Sequence, residues 1–226
     1  MCVIAVSNQK LIPLKTLEAC EAYNSHGGGC AWIQDGQVHY HKGIKAKRIF
    51  DILQDAPLPH VVHFRWKTVG GITDELCHPF VVRTAVPKFT KGKTSCEVLF
   101  HNGTIDDIEL YAHLAGAKVY KNWTDSKAIA KVVSLRGHRI LKEVSAATAR
   151  RQFPNKFAVM NRRGEVRIYG EFHERNGVLF SNLRWQHGVR SRTKLTAKSG
   201  YDASGVSIAR YQSHWWEDGG MNDPRN

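Results

Sequence analysis

The order of the strand and helix signals along the chain limits the folds that it can adopt. Apolar runs predict strands near the N-terminus, then helices, and then strands again towards residue 182. Two strand pairs are separated by turn residues, which are Asp35-Gly36 in the first case and residues 161–164 in the second. A regular strand–helix–strand repeat is missing. We therefore expect a layered α+β domain rather than a parallel sheet.

The individual elements follow from apolar spacing and from residues that begin or end helices. Leu14, Leu17 and Cys20 recur every third residue, which indicates one face of a helix before the glycines at 27–29. Thr124 precedes another such run and is a favourable N-cap. The predicted strands cover 2–6, 30–33, 37–40, 61–66, 97–101, 157–160, 166–169 and 178–182, and the predicted helices cover 14–23, 45–53, 106–115, 124–133 and 141–151.

Cysteine usage and the N-terminus suggest a protein of the cytoplasm. The five cysteines contain no CxxC pair, so we expect free thiols rather than disulfides. Histidines and Cys77 cluster near residues 60–78, but no further ligand completes a metal-binding spacing, and we expect no metal and no cofactor. The apolar N-terminal run is too short for a membrane span and lacks a basic leader, so no signal peptide and no membrane association are expected.

Cys2 is the first candidate for a catalytic residue. Removal of Met1 would leave a thiol and a free α-amine on one residue, and an α-amine with a pKa near ~8 accepts protons at neutral pH. Acyl transfer also needs donors for a negative oxygen, which the Asn102 amide and the Gly103 N–H could supply at a strand end. Taken singly, a chance cysteine and a simple Asn-Gly turn are the plainer interpretations.

Two charged residues could bind the two ends of an amino acid. Arg65 stands in the predicted strand 61–66, where a buried guanidinium needs a carboxylate from the protein or from a substrate. The glycines at 70 and 71 would let the backbone approach a small ligand closely. Asp125, at a predicted helix start, is either a first-turn carboxylate or the acceptor of an ammonium. Together these residues predict a pocket that holds an amino acid and cleaves its side chain.

Several short motifs support this interpretation by their order. They are Cys2 near the N-terminus, N-x-x-G-G-G at 24–29, H-x-R-W-x-T-x-G at 63–70, HPF at 78–80, HNG at 101–103 and TDS at 124–126. In this order and rough spacing they resemble the class II glutamine amidotransferase domain of the N-terminal-nucleophile hydrolases, over residues 2–183. Lys67, Val69 and the pair His26-Gly27 depart from the residues that are common at these places in that family.

The resemblance implies a fold and a reaction. The fold would be a four-layer αββα sandwich with two antiparallel sheets. Cys2 would be the nucleophile, with its own α-amine as the base, and Asn102 and Gly103 would form the oxyanion hole. Glutamine would be hydrolysed to glutamate and ammonia through a glutamyl thioester on Cys2.

The resemblance also implies how the substrate and the domains are arranged. Arg65, assisted by Thr68, would bind the α-carboxylate of L-glutamine, and Asp125 would bind its α-ammonium. Residues 1–185 would form the amidotransferase domain, followed by a basic C-terminal extension over residues 186–226. No recognisable synthase domain follows residue 183, so the ammonia would pass to a separate ligase or synthase subunit.

Two other functions stay open on the sequence. The same fold could act as an amidase on another γ-glutamyl or acyl amide. A non-enzymatic module that binds nucleic acid or a protein partner is the third choice, because 33 Lys and Arg against 20 Asp and Glu give a net charge of +13. Trp185, Trp215 and Trp216 could stack on bases, although packing is the favoured role for them. The basic residues are scattered, so plain solubility explains the charge equally well.

Overall fold

The computed structural model describes residues 2–67, 71–120 and 122–187, and the backbone of 200–201 and 207–208. The chain divides into two compact units, Met1–Arg190 and Ser191–Asn226. In the second unit, Gly200–Tyr201 and Ser207–Ile208 form an antiparallel pair of strands. The predicted domain boundary after residue 185 stays a prediction. All further description concerns the first unit.

Two sheets, in which every paired strand is antiparallel, form the centre of the first unit. The larger sheet contains, in spatial order, His173–Arg175 (β10), Val178–Phe180 (β11), Val3–Ser7 (β1), His60–Phe64 (β4), Gly28–Gln34 (β2), Gln37–Ile44 (β3) and Lys91–Thr94 (β6). The smaller sheet contains Phe80–Val81 (β5), Val98–Asn102 (β7), Lys156–Met160 (β8) and Val166–Tyr169 (β9).

Five helices within the described part of the first unit cover the outer faces of these sheets. They are Leu14–Tyr23 (α1), Ala46–Leu53 (α2), Ile108–Leu114 (α3), Asp125–Arg136 (α4) and Arg139–Thr148 (α5). Two short 3-10 turns, Asp74–Leu76 and Arg184–His187, lie in the connections. Within the residues that the structure describes, no helix has the length and hydropathy that crossing a membrane requires.

The alternation of side chains along the strands produces four layers. In β1, Val3 and Ala5 pack with α1 and α2, whereas Ile4 and its neighbour Val6 pack against the smaller sheet. In β7, Leu99 packs with the helices α4 and α5, and the residues on either side of it face the larger sheet. The layers therefore run helices, sheet, sheet, helices. The predicted four-layer αββα sandwich is confirmed.

Local turn and capping signals are confirmed where the structure tests them. Asp35 and Gly36 both have positive φ, of 53° and 66°, as a two-residue hairpin turn with φ above zero at both positions requires. The side chain of Thr124 accepts a hydrogen bond from the backbone N–H of Lys127 and so caps α4. The helix α1 has the bounds that its apolar spacing predicts.

The strand prediction for 61–66 is wrong at its C-terminal end. Strand β4 ends at Phe64, so Arg65 lies just beyond the strand and not inside it. Among the described residues of the first unit, three short strands, β5, β6 and β10, were not predicted from the sequence. The side chains of strand β6 are mostly exposed, and the strand pairs with β3 through backbone hydrogen bonds. Its sequence therefore lacks the apolar residues that are typical of a buried strand.

Candidate active site

The pairing of β1 with β4 places Cys2 beside Arg65. Val3 lies opposite Phe64 in this antiparallel pair, so the residue before Val3 meets the residues that follow Phe64. The backbone N–H of Trp66 donates to Cys2 Sγ at 3.3 Å, and the thiol donates to the Trp66 carbonyl at 3.5 Å. The strand register alone thus brings the candidate nucleophile and the candidate carboxylate-binding residue together.

A small cavity of about 20 Å³ lies next to the Cys2 thiol. Its described wall includes Cys2, Arg65, His78, Gly103 and Asp125, which come from five separate parts of the chain. Four of the six residues that the sequence predicts for the site therefore border one cavity. A space of this size admits about one water molecule.

The Cys2 thiol is neutral in this environment. Burial raises its pKa above the usual value, and this effect exceeds that of the Trp66 N–H and of the Arg65 guanidinium, which both lower it. The Asp125 carboxylate adds a smaller increase to the pKa of the thiol. A thiol of this kind becomes a nucleophile only when a nearby base removes its proton.

Arg65 is a buried cation held by backbone groups on several sides. Its side chain and backbone together are only 4% exposed, and Nη1 donates to the Gly71 carbonyl at 2.7 Å. Its own backbone N–H donates to the Gly27 carbonyl, and its carbonyl accepts from the His26 N–H. These bonds hold Arg65 in place at the wall of the cavity, where its positive charge lowers the pKa of the Cys2 thiol.

Asp125 is the first residue of α4, and its carboxylate is held by backbone donors. Oδ2 accepts from the Ile105 N–H at 3.0 Å, and Oδ1 accepts from the Ser126 N–H at 2.8 Å. The residue is only 8% exposed. Each carboxylate oxygen keeps further capacity to accept a hydrogen bond, so Asp125 can receive an ammonium from the cavity.

The two candidate oxyanion donors lie on different cavities. Gly103 borders the Cys2 cavity and has φ +144°, which residues with a side chain rarely adopt. The Asn102 amide instead donates from Nδ2 to Ser181 Oγ at 2.9 Å and borders a larger neighbouring cavity of about 270 Å³. Thr68, the last predicted site residue, lies outside the described residues.

The larger cavity lies close to the backbone of the nucleophile. Asn182 borders this cavity, and its amide donates to the Cys2 carbonyl at 2.8 Å. Lys156, also on the wall, donates from Nζ to the Ser181 carbonyl at 2.7 Å. Burial lowers the pKa of Lys156. Ser181 and Asn182 thus connect the start of β1 with Asn102 at the end of β7.

Comparison with known proteins found similar solved structures but no similar sequence. No protein-family model matches the chain, and no curated protein matches it. The glutamine phosphoribosylpyrophosphate amidotransferase from B. subtilis, complexed with ADP and GMP, matches with a TM-score of 0.53 and 13% identity over 80% of this chain. This chain has the N-terminal-nucleophile hydrolase fold.

The likeness covers only part of the neighbouring structures. This chain spans 41% of the length of the B. subtilis enzyme. A second structure, described as the allosteric regulatory enzyme of purine biosynthesis, matches with a TM-score of 0.47 and 16% identity over 71% of this chain and 35% of its own length. At 13% identity, the likeness to the B. subtilis enzyme shows the fold alone.

Two buried histidines, His78 and His101, border the Cys2 cavity and a third, His63, packs against His78; the sequence reasoning gave the three no role. His63 donates from Nε2 to the His101 carbonyl at 3.1 Å, and His78 lies against it with ring centroids 4.0 Å apart. Burial lowers the pKa of His63 to about 3, so its ring is neutral at physiological pH. All three belong to motifs of the resemblance, which was the one signal that could have drawn attention to them.

His101 connects the turn at Gly103 to the start of α4. Its Nε2 lies 2.9 Å from Asn155 Oδ1, and its Nδ1 lies 2.9 Å from Ser126 Oγ. Because the Asn155 oxygen can only accept, Nε2 carries the proton of the neutral ring and Nδ1 accepts from the Ser126 hydroxyl. Asn155 in turn packs against Gly103, so the His101 ring links the start of α4 to the residue that contacts Gly103.

The structure describes only some of the residues to which the tryptophan and metal predictions apply. Trp185 packs on Phe180 with ring centroids 4.8 Å apart, as the packing interpretation expects, whereas Trp215 and Trp216 lie outside the described residues. Across residues 2–67, 71–120 and 122–187, no three His, Cys, Asp or Glu side chains form a group suited to a metal ion.

Proposed function

We propose that this chain hydrolyses the side-chain amide of L-glutamine, with Cys2 as the nucleophile. The observation that carries the proposal is the cavity that Cys2, Arg65, Gly103 and Asp125 border together. A buried guanidinium and a buried carboxylate on one cavity wall fit the α-carboxylate and the α-ammonium of a free amino acid. The use of glutamine by the B. subtilis neighbour supports the choice of substrate.

Acylation begins with the α-amine that the removal of Met1 exposes on Cys2. This amine takes the thiol proton, and the sulfur attacks the carboxamide carbon of glutamine. The Gly103 N–H stabilises the oxygen as it becomes negative. The C–N bond then breaks, the amine returns the proton to the departing nitrogen, and ammonia leaves a glutamyl thioester on Cys2.

Asn102 and the substrate pocket must both adjust for this reaction. The amide of Asn102 would supply the second oxyanion donor once it turns from Ser181 towards the Cys2 thiol. A cavity of about 20 Å³ is smaller than glutamine, so its wall residues move apart when the substrate binds. Thr68 would assist Arg65 in binding the α-carboxylate. Water then hydrolyses the thioester, and the ammonia passes to a separate ligase or synthase chain.

The test is ammonia release from glutamine by the purified protein, with its N-terminus checked by mass spectrometry. Cys2→Ala should abolish turnover, and the glutamine analogue 6-diazo-5-oxo-norleucine should label Cys2. Cys96→Ala is the matched control, because Cys96 is also a partly exposed free thiol but does not border the cavity. Undiminished ammonia release by Cys2→Ala would refute the proposal. Cleavage of other γ-glutamyl amides but not of glutamine would favour the alternative amidase.

A further inference from the structure

The larger cavity is bordered by basic residues that have no part in the proposed function. They are Lys156 on β8, His173 on β10 and Arg184, the first residue of the second 3-10 turn. The part of the wall that the structure describes contains no Asp and no Glu. The cavity volume of about 270 Å³ lies just below the ~300–1,000 Å³ of pockets for drug-sized ligands. A wall of this charge and size favours a small anionic molecule.

The charged ends of Lys156 and Arg184 lie next to groups of this wall. Lys156 Nζ donates at 2.7 Å to the carbonyl of Ser181, which itself borders the cavity. The guanidinium carbon of Arg184 lies 4.7 Å from the centre of the Phe153 ring, and both chain neighbours of Phe153 border the cavity. Two cationic groups from different segments therefore lie close to the same space.

Neither of these cations is paired with a carboxylate in the described part of the chain. Across residues 2–67, 71–120 and 122–187, neither Lys156 nor Arg184 forms an ion pair. An ammonium has three N–H donors, so Lys156 keeps donors besides the one that the Ser181 carbonyl accepts. Lys156 is nevertheless only 7% exposed. A buried cation of this kind is stabilised when an anion binds beside it.

The nearest carboxylate that acts on these residues is that of Glu171. Burial lowers the pKa of Lys156, Glu171 raises it, and the positive charge of Arg184 lowers it again. The Glu171 side chain is 79% exposed, lies 3.9 Å from His173 Nδ1 and does not border the cavity. Water therefore screens its charge, and the cavity keeps its positive character.

We propose that the larger cavity binds a small molecule with a phosphate group, which Lys156 and Arg184 contact. A phosphate monoester carries close to two negative charges at neutral pH, so it balances both cations, whereas one carboxylate balances only one. The ammonium, the guanidinium and an N–H of the His173 ring are donors of the kind that phosphate oxygens accept. The wall residue Gln152 is exposed, so the ligand can enter from solvent.

This binding site goes beyond the proposed function and does not rest on it. The larger cavity and the Cys2 cavity share no wall residue among those that the structure describes. Cys2→Ala should therefore bind the phosphate ligand as the wild type does. A failure to hydrolyse glutamine and a failure to bind phosphate are consequently separate results.

The experiment is a calorimetric titration of the full chain at constant ionic strength. The probes are glycerol 3-phosphate, inorganic phosphate, acetate and glycerol. We expect glycerol 3-phosphate to bind at a single site with a Kd below about 1 mM, and at least as tightly as inorganic phosphate. Glycerol should not bind, because it carries no charge. Binding of inorganic phosphate but not of glycerol 3-phosphate, or equally tight binding of acetate, would overturn the choice of ligand.

Two variants test the cations, and a third is the matched control. Lys156→Gln and Arg184→Gln should each weaken the binding of glycerol 3-phosphate by about tenfold or more, the effect of one lost charge-assisted hydrogen bond. Thermal unfolding checks that both variants fold. Arg167→Gln removes the same charge from β9, where Arg167 pairs with Glu165 and does not border the cavity. Its Kd should equal that of the wild type.

Two results in this series would overturn the proposal. The first is the absence of saturable binding of glycerol 3-phosphate to the folded wild type with a Kd below about 1 mM. The second is an equal loss of affinity in Arg167→Gln and in the two cavity variants, since the ligand would then respond only to the overall charge of the chain.

Discussion

Replacement of Gly103 by alanine should destabilise the fold through a defined collision. A Cβ at this position would lie 2.2 Å from Asn155 Oδ1 and 2.9 Å from Asn155 Cα, both closer than atoms pack. Asn155 must therefore shift, and its hydrogen bond to His101 is lost. The positive φ of +144° adds backbone strain to the collision.

The expected cost follows from three contributions. Overpacking costs roughly 1–3 kcal/mol, an unpaired buried partner of the lost bond roughly 1–3 kcal/mol, and the strained φ roughly 1–3 kcal/mol. Because the contributions overlap, we expect a loss of about 4 kcal/mol in the free energy of unfolding. Gly116→Ala provides the control, since Gly116 has φ +66° but no atom near its added Cβ. This control should cost about 1–2 kcal/mol, from backbone strain alone.

The assay is thermal and urea unfolding of both variants beside the wild type. A difference of about 2–3 kcal/mol between the variants corresponds to roughly 4–12 °C in Tm for a domain of this size. Ammonia release by the folded fraction should also fall, because the displaced backbone no longer presents the Gly103 N–H correctly. Equal Tm values for Gly103→Ala and Gly116→Ala would refute the steric argument.

Two further predictions test the charged groups of the site. Arg65→Lys should raise the KM for glutamine much more than it lowers kcat, because an ammonium cannot make the forked contact with a carboxylate; an unchanged KM would mean that Arg65 only braces Gly71. Burial lowers the pKa of His63 in the folded protein to about 3, from its ordinary value of 6.5. Between these two pH values His63 is protonated in the unfolded chain but not in the folded one, so the free energy of unfolding should fall as the pH drops from about 6.5 towards 3. Urea midpoints between pH 7 and pH 4 should fall less steeply in His63→Gln, and an unchanged slope would contradict this.

Strand register explains why the site could not be assembled from the sequence. Cys2 and Arg65 are adjacent because Val3 lies opposite Phe64, and a slip of one residue would send every side chain of β1 to the opposite face. The sequence carries both strands, but their partner choice depends on packing between two sheets. Motif order pointed to the same residues only through resemblance to a family.

Asn102 shows the same limit for a neighbouring pair of residues. Asn102 and Gly103 are consecutive, and the sequence assigns them one joint role. In the fold, the Gly103 backbone borders the thiol cavity while the Asn102 side chain turns to Ser181, which is 79 residues away. Successive residues at a strand end point in different directions, so adjacency in sequence does not decide which cavity each one meets.

The sequence by itself determined the local features of this protein. The hairpin turn at Asp35-Gly36, the cap at Thr124 and the helix at 14–23 depend on the few residues that form them. Continuous apolar runs account for the central strands, which are buried on both faces. Only the tertiary structure decided that β6 joins a sheet and that Arg65 lies beyond its strand. It also decided that His78, which is distant in sequence, borders the same cavity as Cys2. Those features depend on contacts between segments that are distant in sequence, and a local sequence pattern does not specify such contacts.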